Sequence, residues 1–288
     1  MSLVITGATG HLGRLVVEDL LGRGVPAGDI TAAGRDVTKV KDLADRGVRV
    51  RHVDYDDPAS LDAAFRGADR ILLISASVPG DRARQHGNAI DAAARAGAGL
   101  LAYTSIANAD TTTMRLAGEH QATEAALRAS GLTHVVLRNS WYTENYTAQI
   151  PAILQRGELA GSAGDGRVSA ATRADYAAAA AAVLAGDGPA EGQSRVYELG
   201  GDQAFTLAEL AAEISAQAGR PVSYRDLPED EYARLLAGAG LPEAAAATMA
   251  DADRGLARGD LYVDSGHLRQ LIGRPTTALR DAVAAALG

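Results

Sequence analysis

The chain has 288 residues, a formal net charge of −8 and no cysteine, and 47% of its residues are hydrophobic. A chain of this length can bury a large core, and the absence of cysteine excludes disulfide bonds, thiolate metal ligands and a cysteine nucleophile. The acidic balance argues against general nucleic-acid binding. The sequence shows neither a membrane span nor a signal-peptide pattern, so we expect a cytoplasmic protein without a membrane anchor.

Short apolar runs alternate with helical patterns over the first half of the chain. The apolar runs predict strands at residues 3–5, 29–33, 48–53, 71–74, 100–104 and 134–137. The segments between them predict helices at residues 11–23, 37–46, 58–66, 82–96 and 114–130. Strands joined by crossovers of this length are typical of a parallel sheet with helices on both faces.

Glycines mark the expected ends of four predicted helices. They are Gly47, Gly67, Gly97 and Gly131. Glycine tolerates the left-handed conformation that commonly closes a helix, so we expect these residues to act as C-caps.

The pattern changes after Asn139. Residues 157–166 are glycine-rich and predict a loop. Further strands are predicted at residues 167–171 and 195–199, and further helices at 175–185, 207–218 and 229–240. The alanine run at 244–247 favours a packed helix over a low-complexity segment.

Together these elements predict an α/β fold, a Rossmann-like doubly wound parallel sheet with a smaller C-terminal α/β lobe. We expect residues 1–138 and 162–202 to form the cofactor-binding core, and residues 139–161 and 203–288 to form the lobe. The lobe would cover the carboxyl ends of the strands, where open α/β sheets bind ligands.

A glycine-rich segment joins the first predicted strand to the first predicted helix, and Gly7, Gly10 and Gly13 give it a GxxGxxG pattern. The first glycine permits a tight turn, the second lets the backbone approach a pyrophosphate, and the third lets the helix lie close to the strand. This position favours a dinucleotide site over an ordinary tight turn. The candidate cofactor-binding residues of the segment are Thr6, Gly7, Ala8, Thr9, Gly10, His11 and Leu12.

The end of the second predicted strand distinguishes NAD from NADP. An NAD site usually places Asp or Glu there, whereas this strand leads into Arg35. A guanidinium can form two charged hydrogen bonds with a 2′-phosphate, so we predict NADPH/NADP+ as the cofactor. Asp36 is the counter-signal, because its side chain could turn towards the ribose. Lys39 and Lys41, the two lysines of the chain, either add charge near the phosphate or belong to a solvated helix face.

Two further strand ends offer candidate cofactor contacts. Asp54 follows the third predicted strand, where a side chain can meet the adenine, although it could equally begin the next helix. Ser75, Ala76 and Ser77 follow the fourth strand, beside the expected nicotinamide ribose.

Several segments together resemble the NADPH-dependent quinone oxidoreductases of type 2, which belong to the NmrA-like, atypical branch of the short-chain dehydrogenase/reductases. The segments are TGATGHLG, Arg35, ILLISAS, AYTS, LRNSWYTENY, AGDGRVSAATRADYAAAAA and LIGRPTT. The resemblance covers nearly the whole chain. Triphenylmethane dye reductases and NADP-sensing regulators share the same framework, so the resemblance implies the fold and the cofactor more directly than the substrate.

The resemblance also implies which residues line the cofactor cleft. They are residues 6–12, Arg35, 75–77, 139–144 with Asn139, Ser140, Trp141 and Tyr142, and 171–176 with Arg173. The residues themselves agree in part, since the amide of Asn139 and the hydroxyl of Ser140 could hydrogen-bond a nicotinamide carboxamide. Arg138 and Arg173 could equally be structural ion-pair partners.

The catalytic pair that is usual in that superfamily, Tyr-x-x-x-Lys after the fifth strand, is missing here. Ser105 ends the fifth predicted strand, and the next helix offers His120 and Glu124 one turn apart. His120 is either a proton donor with a pKa tuned by Glu124, or a histidine that orders a hydrogen-bond network. The candidate catalytic residues are His120, Tyr103 and Ser105.

The missing acid limits the reaction. Reducing a ketone requires protonation of an alkoxide, whereas a quinone that accepts hydride gives a stabilised anion that solvent can protonate. We therefore expect hydride transfer from NADPH to a quinone-like acceptor. Four aromatic residues could form a wall for a planar acceptor, namely Tyr103, Trp141, Tyr142 and Tyr146, although Trp141 could instead be core.

Two other functions remain open at this point. One is an NADP(H)-sensing regulator without turnover, and the other is a reductase of another conjugated compound, such as a triphenylmethane dye. The six histidines show no metal-ligand spacing, so no metal site is predicted. A homodimer is possible.

Overall fold

The computed structural model of this chain describes residues 1–76 and 81–288. Within these ranges the strands are β1 (Leu3–Ile5), β2 (Ile30–Gly34), β3 (Arg49–His52), β4 (Arg70–Leu73), β5 (Leu100–Ile106), β6 (His134–Asn139), β7 (Glu158–Gly161), β8 (Ser194–Leu199) and β9 (Ser223–Asp226). The α-helices are α1 (His11–Gly22), α2 (Lys41–Asp45), α3 (Pro58–Phe65), α4 (Arg82–Ala96), α5 (Ala117–Ala129), α6 (Glu144–Thr147), α7 (Ile150–Arg156), α8 (Arg173–Ala185), α9 (Leu207–Ala218), α10 (Glu229–Gly238), α11 (Glu243–Ala257), α12 (His267–Ile272) and α13 (Leu279–Leu287).

The main sheet has seven strands in the order β3-β2-β1-β4-β5-β6-β8, and every neighbouring pair is parallel. The chain starts in the middle at β1, winds outward to β3, and returns to the other side at β4. The strand order therefore reverses between β1 and β4, which opens a crevice at the carboxyl ends of the strands. This architecture confirms the predicted α/β, Rossmann-like doubly wound fold.

The alternation of side chains along β1 explains the helical layers on both faces. Leu3 and Ile5 belong to the core beneath α1 and α8, whereas Val4 between them belongs to the core beneath α3 and α4. Successive strand residues point to opposite faces, so a strand that is apolar at every position needs cover on both sides.

The smaller lobe has its own core and its own two-stranded parallel sheet of β7 and β9. Its core includes Trp141, Tyr146 and Phe205, and it also takes up Ile106 and Met114 from the first half of the chain. The division at 138/139 and 202/203 stays a prediction.

Two predictions for the second half of the chain are wrong. Residues 157–166, predicted as a loop, contain β7, because a partner strand more than 60 residues later supplies its hydrogen bonds. Residues 167–171, predicted as a strand, make only single bridges at Val168 and Ala171. Between those bridges Ser169 bonds to Leu261 and Val263 in a loop, so no regular ladder forms.

Gly97 is the left-handed C-cap of α4, as predicted, whereas Gly47, Gly67 and Gly131 each come one residue after the C-cap of their helix. Gly47, Gly67, Gly97 and Gly131 have φ of 89°, 71°, 66° and 72°. The predicted helix at 37–46 divides into a 3₁₀ turn, Val37–Val40, followed by α2. Among the described residues, no helix is long and apolar enough to cross a membrane.

Candidate active site

A cavity of about 510 Å³ lies at the carboxyl ends of the main sheet. It runs from the loop after β1 and the end of β2 to the ends of β4, β5 and β6 and the start of α8. Most of the predicted cofactor-binding residues line it, namely Gly7, Thr9, Gly10, His11, Leu12, Arg35, Asp54, Ser75, Ala76, Asn139, Ser140, Trp141, Tyr142 and Arg173. The predicted catalytic residues Ser105 and His120 line it as well. Ser77 lies outside the described residues.

Close packing in the glycine loop brings the start of α1 to the cavity. Gly7 has φ of 62°, and a Cβ at Gly13 would overlap the carbonyl of Gly7. A Cβ on Gly34 would lie 2.6 Å from Thr9 Oγ1, so β2 and the loop also touch. Gly10 caps α1 without a side-chain hydrogen bond, which leaves the first-turn amides free to meet an anion.

Two predicted contacts in this loop lie beneath the cavity instead of lining it. Ala8 is fully buried and donates its backbone N–H to Ala33. Thr6 is also fully buried, and its hydroxyl lies 2.5 Å from Tyr55 Oη and donates to the Leu72 carbonyl. Both residues shape the loop from below, so a direct cofactor contact is not supported for either side chain.

The charged residues that follow β2, Arg35 and Asp36, differ in their contacts. Asp36 accepts hydrogen bonds from the backbone N–H and the hydroxyl of Thr38 at 3.2 and 2.6 Å, so its carboxylate caps the following turn. Arg35 is exposed, lines the cavity, and has no hydrogen bond or ion pair with any described residue. Lys39 and Lys41 are exposed and do not line the cavity. Of these three cationic residues, Arg35 is therefore the one that faces the cavity.

The end of β3 holds one predicted and one missed residue. Asp54 lines the cavity, and its carboxylate accepts the backbone N–H of Asp56 at 3.0 Å, as expected for the start of a helix. Tyr55 also lines the cavity and donates its hydroxyl to the Ile74 carbonyl at 2.7 Å. Tyr55 thus connects the end of β3 to the end of β4.

The opposite end of the cavity contains an unpartnered acceptor. The Oδ1 atom of Asn139 is buried and has no hydrogen-bond partner among the described residues. The neighbouring Ser140 hydroxyl donates to the Leu261 carbonyl at 2.7 Å, so towards a ligand it could act only as an acceptor. A primary amide that entered this end could donate to Asn139, which satisfies a group that is costly to leave bare.

Arg173 and Tyr142 form the rim near Asn139. The Arg173 guanidinium lies 4.7 Å from the centre of the Tyr142 ring and donates to Asn145 Oδ1 at 3.0 Å. It also lies 3.7 Å from Glu144. Arg173 therefore combines both predicted roles, because it faces the cavity and belongs to an ion pair.

His120 lies at the cavity wall, above Tyr103. Its Nδ1 is 2.7 Å from the Tyr103 hydroxyl, and Tyr103 is fully buried. Burial, with a smaller effect from Arg82, lowers the pKa of His120 to about 3, so the ring is neutral at physiological pH. Because Tyr103 does not reach the cavity, it can act only through His120 and not as a substrate wall.

The partners of Glu124 do not include His120, which goes against the alternative in which Glu124 tunes the pKa of His120. The Glu124 carboxylate accepts the Ser105 hydroxyl at 2.7 Å and pairs with Arg138 at 2.8 Å. Arg138 also pairs with Glu198 and Asp110 at 2.8 and 3.0 Å. These charges form a network behind the cavity that extends from the buried Glu124 and Arg138 to the exposed Asp110. Arg138 is a structural ion-pair partner, one of the two alternatives for it.

The predicted aromatic wall is smaller than expected. Trp141 and Tyr142 line the cavity. Tyr146 lies on the short helix α6 and packs into the lobe core, 6.3 Å from the Phe205 ring centre. Its side chain points away from the cavity because α6 follows a turn after β6 that the sequence pattern does not show.

Several lining residues are not among the predicted site residues, although Gly13 belongs to the predicted glycine pattern. They are Gly13, Gly34, Val53, Tyr55, Ile74, Arg82, Gln85, Ile106, Leu116 and Asn145. Arg82 had a usable signal, because it opens the helix predicted after the fourth strand and therefore lies at the same edge of the sheet. Leu116 had none, since it precedes α5 in an irregular segment.

Comparisons with known proteins agree with this geometry. A family model described as NAD(P)H-binding matches residues 7–187. Quinone oxidoreductase 2 of Escherichia coli is 48% identical over 281 residues, which are 98% of this chain and 97% of that protein.

Two solved structures extend the comparison. The NADPH complex of the quinone oxidoreductase QOR2 from Escherichia coli superposes with a TM-score of 0.95 over 99% of this chain and all of the other, at 48% identity. Triphenylmethane reductase from Citrobacter sp., complexed with NADP(H), gives a TM-score of 0.92 at 36% identity over 99% of this chain and all of the other. The chain belongs to the NAD(P)H-binding family and is a full-length relative of quinone oxidoreductase 2.

Proposed function

We propose that this chain is an NADPH-dependent oxidoreductase that transfers hydride to a quinone-like acceptor. The observation that carries the proposal is the 48% identity to quinone oxidoreductase 2 over 98% of the chain. The cavity supports it independently. One end offers a cation and free amides for the phosphates of NADPH, and the other end offers an amide oxygen for its nicotinamide.

The residues present fit the cofactor. Arg35 would hold the 2′-phosphate, since its guanidinium makes no hydrogen bond or ion pair with the described residues. The free amides at the start of α1 would hold the pyrophosphate. The bare Oδ1 of Asn139 would accept from the carboxamide of the nicotinamide. When bound, NADPH supplies the hydride.

The side chains around the reacting end provide position and not an acid. His120 is neutral, and the Ser105 hydroxyl is bound to Glu124. A quinone suits such a site because its reduced anion is stabilised and water can protonate it. Trp141 and Tyr142 would hold the planar acceptor by their rings.

NADPH oxidation with benzoquinones and naphthoquinones tests the proposal. We expect loss of the NADPH absorbance in step with quinone consumption, and slower turnover with NADH. Triphenylmethane dyes are the matched second acceptor, because triphenylmethane reductase shares the fold at a TM-score of 0.92. Turnover with dyes alone would reassign the substrate, and no turnover with any acceptor would favour an NADP(H) sensor.

Location and assembly complete the proposal. We place the chain in the cytoplasm, where NADPH is supplied, and a cell fractionation with tagged protein tests this. Light scattering of the purified protein measures the oligomeric state, for which a homodimer is one candidate.

A further inference from the structure

We propose that Arg82 and His120 form an oxyanion subsite that binds the acceptor oxygen on which negative charge develops during hydride transfer. This inference rests on the proposed function, because it assigns the residues that face the quinone. It makes Arg82 and His120 catalytic residues through charge stabilisation, with Tyr103 as a positioning residue beneath them.

Arg82 is a buried cation with an unsatisfied donor at the cavity. The residue is 7% exposed and lines the cavity. Its Nε donates to the Ala76 carbonyl at 2.5 Å, but its Nη1 is buried without a hydrogen-bond partner among the described residues. Leaving a buried guanidinium N–H bare is costly, so this atom points to an anionic or strongly polar ligand.

Glu119 holds Arg82 but does not neutralise it fully. Its carboxylate accepts the backbone N–H of Arg82 at 3.2 Å, and its other oxygen lies 3.6 Å from Nη1, beyond hydrogen-bond distance. Burial lowers the pKa of Arg82 and Glu119 opposes that shift, so the carboxylate helps to keep the guanidinium charged. The Arg82 guanidinium therefore stays charged, and its Nη1 lacks a hydrogen-bond acceptor among the described residues.

His120 supplies a second, neutral donor. When the Tyr103 hydroxyl donates to Nδ1 across 2.7 Å, the ring proton resides on Nε2. Tyr103 is fully buried and His120 lines the cavity, so the nitrogen not held by Tyr103 is the one left for a ligand. The charge of Arg82 also disfavours the imidazolium form of His120, which keeps this ring a hydrogen-bond donor and not an acid.

The chemistry balances without a proton from the protein. A quinone that accepts hydride gains two electrons and one proton and becomes the hydroquinone monoanion, while NADPH is oxidised to NADP+. Arg82 and His120 would stabilise the negative oxygen as it forms. Water then supplies the second proton. The neutral hydroquinone lacks the negative charge that the subsite binds, so it dissociates.

Binding of 4-nitrophenol to the protein without cofactor tests the subsite directly. Its phenolate is a stable, coloured oxyanion, so absorbance reports both binding and ionisation. We expect the wild type to prefer phenolate over phenol and Arg82→Gln to lose about tenfold or more in phenolate affinity, the effect of one charge-assisted hydrogen bond. Arg84→Gln is the matched control, since Arg84 is exposed on the same helix and does not line the cavity.

Single-turnover reduction of a benzoquinone gives the second readout. Hydride transfer in Arg82→Gln should slow by about a hundredfold, as for loss of an oxyanion donor, with NADPH affinity unchanged. Arg82→Lys keeps a cation, so its rate of hydride transfer should lie between those of the wild type and Arg82→Gln. This variant also keeps the test valid if Arg82→Gln does not fold.

Phenolate affinity that is unchanged in both Arg82 variants would overturn the subsite even if quinones are reduced. A wild type that binds phenolate through Arg82 but reduces no quinone would instead overturn the proposed function and leave the subsite standing.

Discussion

Two adjacent residues of opposite charge, Arg35 and Asp36, bear on the proposed preference for NADPH. Both follow β2 and either could reach a ribose. The hydroxyl and amide of Thr38 hold the Asp36 carboxylate, and these bonds, with the hydroxyl contributing most, lower the pKa of Asp36. Because the Asp36 carboxylate is held in the turn, the proposed contact with a 2′-phosphate falls to Arg35.

Replacing Arg35 should therefore separate the two cofactors. We expect Arg35→Ala to weaken NADPH by about ten- to a hundredfold, the loss of a charge-assisted pair of hydrogen bonds, and NADH by much less. Fluorescence titration of both cofactors measures this. Lys39→Ala is the control, because Lys39 is exposed and does not line the cavity. Equal losses for NADPH and NADH in Arg35→Ala would remove the 2′-phosphate role.

The neutral state of His120 makes a prediction for the pH dependence of quinone reduction. Burial lowers its pKa to about 3, so its charge does not change between about pH 5 and pH 8. We expect kcat/KM to show no ionisation of His120 in that window, and His120→Gln to lower the rate without changing the shape of the profile. A limb near neutral pH that disappears in His120→Gln would restore His120 as a proton donor.

At the scale of elements, the position of α1 depends on Gly13, because only a residue without a Cβ fits there. The helix lies so close to the loop that a Cβ on Gly13 would overlap the Gly7 carbonyl and its neighbours, all of them backbone atoms. Backbone cannot move aside as a flexible side chain can. Any side chain at Gly13 must push the start of α1, and with it the free first-turn amides, away from the loop.

Gly13→Ala should consequently impair both folding and cofactor binding. We expect a loss of about 1 to 3 kcal/mol in the free energy of unfolding, typical of overpacking, together with weaker NADPH binding. Gly22→Ala is the matched control on the same helix, because a Cβ at Gly22 would meet no atom within 4 Å. That variant should be neutral or more stable by about 0.5 to 1 kcal/mol. Urea unfolding and cofactor titration compare the two, and a harmless Gly13→Ala would contradict the close packing.

The elements that the sequence predicts best are those whose pattern is local. The strands and helices from β1 to β6 alternate with a regular period, and glycines mark the helix ends. The pair β7 and β9 was missed because its register joins Glu158 to Ser223, so each strand is stabilised by residues far away in sequence. Tyr146 was misplaced for a similar reason, since only the packed lobe shows which side of α6 is buried.

At the scale of the whole molecule, the cavity is assembled from the ends of six strands, β1 to β6, and from the starts of several helices. Most of the lining is predictable from the sequence because parallel strands have their carboxyl ends at one edge of the sheet, so each strand end supplies candidate residues. Arg82 and Asn145 are not predictable in this way, since they reach that edge from the starts of helices α4 and α6. The contacts of Glu124 with Ser105 and Arg138 are not visible in the sequence either, because they join α5 to β5 and β6.

The lobe contains one buried acid whose ionisation links pH to the stability of the whole chain. Asp253 on α11 is 4% exposed, and its Oδ2 accepts the Ser162 backbone N–H at 2.9 Å. Burial, with a smaller repulsion from Asp226, raises the pKa of Asp253 from 3.8 to about 7. The folded chain therefore holds a proton on Asp253 that the unfolded chain releases at lower pH.

The sign of the effect follows from that difference in proton binding. The stability that Asp253 contributes is fully present below its unfolded pKa of 3.8 and is lost as pH rises through about 7. Asp253→Asn mimics the protonated acid, so it should be nearly neutral at low pH and increasingly stabilising as pH rises, by about 1.4 kcal/mol per pH unit within that window. Urea unfolding at about pH 5 and about pH 8 measures this, with Asp264→Asn, an exposed carboxylate, as the control. An effect of Asp253→Asn that is equal at both pH values would show that the carboxyl is not held protonated, and the polar contact with Ser162 would then be its whole role.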